Sequence, residues 1–141
     1  MRIVYLDSSA IVKRVLSEPE SEPLRRRLAE LATGANELVT STLGWVEVSR
    51  TLRRRLAVGD VEYPGDAESD ALAGVSGYPI SYETIAVARR IGGESLRTLD
   101  AIHCATATMV GAASLVSYDR RLIESASSIG IPVEAPGFDL A

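Results

Sequence analysis

The sequence has one cysteine, Cys104, in 141 residues. A lone thiol excludes an internal disulfide and a zinc site built on cysteines. Long apolar runs are also missing. None approaches the roughly 20 residues of a membrane-crossing helix. The opening Met1-Arg2-Ile3 is cut off by Asp7 too early for a signal peptide. The expected location is therefore the cytoplasm, with no membrane contact. There is no basic excess either: 15 Lys and Arg stand against 19 Asp and Glu, a formal charge of −4. That argues against a general DNA-binding module. It leaves room for an enzyme that holds nucleic acid through metal ions and a few local arginines. Lys13 is the only lysine, so phosphate contacts fall to arginine, the better fork for them.

What is present is a globular composition, 46% apolar and 24% charged. The length suits one domain, residues 1–141, with 135–141 as a C-terminal tail. The run Ile3-Val4-Tyr5-Leu6 is apolar without alternation, as in a parallel strand covered on both faces. The spacing predicts a helix over 8–16, then one capped by Ser21 and closed by Gly34, with Leu24, Leu28 and Leu31 on one face. A strand at 37–41 leads into a long helix over 43–58. Its expected buried stripe is Leu43, Val46 and Leu52, and Gly59-Asp60 stops it. A small-residue helix over 67–75 and an edge strand at 77–81, holding Pro79, come next. Helices capped by Ser81 and by Thr98 (the latter over 99–110), a strand at 114–118, a helix at 119–127 and a strand at 131–133 complete the chain. Strands alternating with helices make βαβ units with right-handed crossovers. The expected fold class is α/β with a mostly parallel central sheet.

Asp7 follows the first strand at once, which places it at the carboxyl edge of the sheet, where open α/β sheets build their sites. Asp119 repeats this after the fourth strand. Asp100 falls in the first turn of its helix, where the helix dipole favours an anion. Glu47 interrupts the apolar run Trp45-Val46-Val48. If the first strand is central, all four acids can meet in one cleft. Four such carboxylates repel unless a cation joins them, and oxygen-only donors select Mg²⁺ or Mn²⁺. Such a site activates a water and neutralises a phosphate, with one ion or two.

Taken singly, each acid has a structural reading. Asp7 and Asp119 can cap helices, Asp100 can serve the dipole, and Glu47 can pair with Arg50 one turn along. Their conjunction at matched places favours the site. His103, one turn from Asp100, is expected to make a partly buried hydrogen bond and Cys104 to fill the core. Trp45 reads as core or as an interface anchor.

With these residues in place the chain resembles the PIN-domain ribonucleases, and within them the VapC toxins of toxin–antitoxin pairs. The matching motifs are Tyr5-Leu6-Asp7-Ser8-Ser9-Ala10, Glu47 with Arg50, Leu96-Arg97-Thr98-Leu99-Asp100-Ala101-Ile102-His103, and Ser117-Tyr118-Asp119-Arg120-Arg121-Leu122. The resemblance implies a three-layer α/β/α sandwich and an Mg²⁺- or Mn²⁺-dependent endoribonuclease. Asp7, Glu47, Asp100 and Asp119 take the acidic, metal-holding roles, and Ser9 and Ser117 are supporting hydroxyls. Ser117 stands where the family commonly has threonine. Arg50 and Arg97 are candidates for holding phosphate. The implied partners are an RNA substrate, a VapB-type antitoxin and a second copy of the chain.

Other folds with a strand–acid layout fit less well. A haloacid-dehalogenase-type phosphatase needs an aspartate where Ser9 stands, and a receiver domain needs a late lysine. The remaining alternative is a PIN-like module that binds RNA or protein without cutting.

Overall fold

The computed structural model describes residues 1–59 and 61–140. Five strands form one all-parallel sheet: β1 (Arg2–Leu6), β2 (Asn36–Ser41), β3 (Val75–Tyr78), β4 (Ser114–Val116) and β5 (Val133–Glu134), in the order β3-β2-β1-β4-β5. The helices are α1 (Ser8–Lys13), α2 (Ser21–Ala32), α3 (Thr42–Ala57), α4 (Ala67–Leu72), α5 (Tyr82–Ala88), α6 (Thr98–Met109) and α7 (Arg120–Ser128).

β1 lies at the centre, as its unbroken apolar run demands. Successive side chains of a strand point to opposite faces, and here they feed two separate cores. Val4 and Leu6 join Ile11, Leu16, Leu24, Leu28, Val48, Leu52 and Ala71 on the side of α1 to α4. Tyr5 joins Val39, Cys104, Ala107, Leu115, Leu122 and Ala126 on the side of α6 and α7. Helix α5 packs on α6. The result is a three-layer α/β/α sandwich. Each fully buried Leu, Ile or Val contributes roughly 1.5–3 kcal/mol, and neither helical layer would cover its face alone. No described helix is long and apolar enough to cross a membrane.

Several boundaries differ from the sequence expectation for physical reasons. Helix α3 buries Gly44, Val48 and Leu52, a stripe at spacing four, whereas Val46 is 55% exposed and Leu43 half-buried. Gly44 is required there, since a Cβ would run into the Thr40 hydroxyl of β2. Strand β3 starts and ends earlier than expected. It pairs Val75 to Tyr78 with Leu38 to Ser41, and Pro79, with no N–H to give, lies just beyond it. Ser21 and Thr98 are the first residues of their helices rather than caps. Ser21 instead donates to the Leu16 carbonyl at 2.8 Å, and Arg97 occupies the cap of α6 without a side-chain bond. Asp60, half of the expected stop of α3, lies outside the described residues. Residues 135–140 carry no regular element, and the Phe138 ring meets Tyr118 edge-on with centroids 5.9 Å apart. Trp45 is 43% exposed, with its ring laid over Gly77 of the edge strand.

Candidate active site

Asp7 is 3% exposed at the carboxyl end of β1. Its Oδ1 accepts from the Ser9 hydroxyl at 2.7 Å and from the Ala10 N–H at 3.0 Å, and its Oδ2 from the Ser117 hydroxyl at 2.6 Å. Both hydroxyls are themselves fixed. Ser9 Oγ accepts from the Tyr118 N–H at 2.9 Å and Ser117 Oγ from the Asp119 N–H at 3.0 Å. Asp7 therefore caps α1 and is also oriented by β4 and the turn after it. A carboxylate has about four lone-pair sites, so one remains open, on Oδ2. Burial raises the Asp7 pKa, against the hydrogen bonds that lower it.

Asp100 sits in the first turn of α6, as its spacing predicts, and is 8% exposed. Its Oδ2 is buried without a hydrogen-bond partner. Burial and the charge of Asp119 raise its pKa, His103 and Arg97 oppose them, and Glu47 adds to the rise. Asp119 is exposed and caps α7 through the Arg121 N–H at 3.0 Å, yet its charge reaches Asp100.

Glu47 does not pair with Arg50. Its Oε1 lies 2.7 Å from Nε2 of His103, whose Nδ1 is 2.6 Å from the Tyr5 hydroxyl. Burial works to lower the His103 pKa, and Glu47, helped by Asp7 and Asp100, turns the net direction upward. Through His103 and Asp100 the four acids belong to one electrostatic neighbourhood. Arg97 is exposed and its charge reaches Asp100, and Arg50, one turn along α3 from Glu47, is exposed as well. Cys104 is fully buried, and burial pushes its thiol up to about 11, which suits an inert core residue.

Among the described residues, no three His, Cys, Asp or Glu side chains are arranged to close round a metal ion by themselves. The donors fit a different kind of site. Mg²⁺ keeps several waters and takes one or two carboxylates. An orphaned buried oxygen on Asp100, an open lone pair on Asp7 and repulsion from Asp119 and Glu47 are what such an ion would relieve.

Residues 4–127 match the PIN domain family. The chain belongs to this family. Ribonuclease VapC47 of Mycobacterium tuberculosis is 34% identical over 139 residues, 96% of this chain and 98% of the relative. Ribonuclease VapC46 of the same organism is 38% identical over 138 residues, 96% and 99%. VapBC2 from Rickettsia felis, in a crystal structure bound to a DNA fragment from the promoter, contains the same fold. Its TM-score is 0.60 at 16% identity, over 94% of this chain and 97% of that one.

In this PIN domain of VapC type, Tyr5 is a buried polar side chain beside the candidate site that the strand pattern alone does not single out. The signal was available. A phenol inside a strand covered on both faces must find a partner for its hydroxyl, and its partner here is the only histidine of the chain.

Proposed function

We propose that this chain is a metal-dependent endoribonuclease, the toxin of a VapBC-type toxin–antitoxin pair, acting in the cytoplasm. Its full-length relatives are named ribonucleases. The observation that carries the metal site is the buried Oδ2 of Asp100, without a partner and crowded by the charges of Asp119 and Glu47. Asp7, Glu47, Asp100 and Asp119 would hold Mg²⁺ or Mn²⁺, one or two of them directly and the others through the waters that the ion keeps. Bound there, the ion supplies a water of lowered pKa and neutralises charge on the phosphate. Ser9 and Ser117 keep Asp7 turned to the cleft. Arg50 and Arg97 hold the flanking phosphates of the RNA, where no basic surface does so.

The test is incubation with total RNA, Mg²⁺ or Mn²⁺, with and without chelator, followed by mapping of the cut ends. Wild type cleaves only with metal, and Asp100→Asn loses at least ~100-fold, the scale of several kcal/mol of charge stabilisation. Cleavage by Asp100→Asn at the wild-type rate would defeat the assignment.

A VapB-type antitoxin and a second copy of the chain are proposed as partners. The VapBC2 likeness supports the first. Co-expression with the neighbouring small reading frame and light scattering of the isolated chain check each.

A further inference from the structure

The ribonuclease reading leaves a buried chain of hydrogen bonds without a role. Ser41 N–H donates to Tyr5 Oη at 3.2 Å, Tyr5 Oη lies 2.6 Å from Nδ1 of His103, and Nε2 of His103 lies 2.7 Å from Oε1 of Glu47. Resting on that reading, we propose that Tyr5 and His103 are positioning residues that set the Glu47 carboxylate for the metal ion.

The donor order follows from what each group can do. A carboxylate only accepts, so Nε2 carries a hydrogen whether the imidazole is neutral or charged. A backbone N–H only donates, so one lone pair of Tyr5 Oη is taken by Ser41. The phenol then grips the far nitrogen of the ring, giving its proton to a neutral imidazole or accepting from a charged one. The ring cannot turn without breaking both ends. Tyr5 and His103 are 0% and 3% exposed, with their rings nearly perpendicular at 73°. Glu47 is different: its side chain is 27% exposed. Nothing in its own helix fixes it, because Arg50 does not engage it. The relay ties one of its oxygens to β1 through α6 and leaves Oε2 to accept from outside the chain. Partners that orient a metal-binding carboxylate are typically worth 10–100-fold in metal affinity or activity.

The experiment measures Mn²⁺ affinity by calorimetry without RNA, alongside kcat and KM for RNA. Tyr5→Phe keeps the ring and deletes the hydroxyl. We expect it to weaken Mn²⁺ binding about 10-fold or more, with kcat for RNA falling and KM unchanged. In a Glu47→Gln background the same Tyr5→Phe change should cost nothing further, since both act through one carboxylate. His103→Gln, which keeps an N–H donor toward Glu47, should bind Mn²⁺ more tightly than His103→Ala. The relay is overturned if folded Tyr5→Phe binds Mn²⁺ within about twofold of wild type. It is equally overturned if the loss is the same with and without Glu47. In both cases wild type still binds Mn²⁺ and cuts RNA, so the ribonuclease reading survives. A wild-type chain that does neither overturns both.

Discussion

Ser117 donates to Asp7 Oδ2 at 2.6 Å across a sequence separation of 110 residues. The serine oxygen also accepts from the Asp119 N–H, so one hydroxyl couples the ends of two parallel neighbours and the start of α7. Ser117→Ala strips a buried carboxylate and a backbone N–H of their partner together. The expected loss is about 1–3 kcal/mol, the cost of leaving buried groups unsatisfied, read as a lower urea midpoint. Ser117→Thr keeps the hydroxyl and should retain most of the stability. Equal losses in the two variants would show that the bond contributes nothing.

The acids cost the metal-free fold stability, and the cost has a definite pH window. Both Asp7 and Asp100 have pKa values raised in the folded state, chiefly by burial. For each, the folded state is relatively most stable below the ordinary carboxylate pKa of 3.8. That advantage is lost as pH rises through the raised folded value. Asp100→Asn should therefore raise the melting temperature of chelated protein by a few degrees, about 2–5 °C, at pH 7. The gain should vanish below about pH 3.8. A gain that is the same at both pH values would rule out charge as its cause.

Gly77 lies beneath the Trp45 ring, and a methyl group there would collide with it. Gly77→Ala should expel the ring from the edge strand at a cost of about 1–3 kcal/mol. Because Trp45 is the only tryptophan, its emission should shift to the red, and unchanged emission would mean that the ring does not rest on the strand in solution.

With a net charge of −4, RNA binding has few cations to rest on. Removing the charge of Arg50 or Arg97 should weaken affinity and lower the salt slope by about 0.7 for each phosphate left without its arginine. An unchanged slope in the double variant would take both residues out of the interface.

The layout of the site was legible because strand ends are legible. Asp7 and Asp119 each follow an apolar run, and Asp100 falls at a helix start whatever residue caps it. Glu47 was found as an acid among apolar neighbours, but its partner was not. Local spacing offered Arg50, and the fold supplied His103 from another helix. The buried stripe of α3 failed for a similar reason. Val46 and Val48 are equally apolar in the sequence, and only the approach of Gly44 to Thr40 decides which side of the helix meets the sheet. Strand β3 lies earlier than the sequence suggests, because Tyr78-Pro79-Ile80 has a strand's composition while the ladder is set by β2.

The central position of β1 between β2 and β4 also has a consequence for synthesis. The strand is made well before its second neighbour, since β4 begins only at Ser114. A nascent chain that has reached Ala113 already carries Asp7, Glu47 and Asp100. It has neither the strand that closes one flank of β1 nor the hydroxyl that turns Asp7. Termination anywhere before that point leaves β1 without its β4 neighbour and Asp7 without the hydroxyl that turns it.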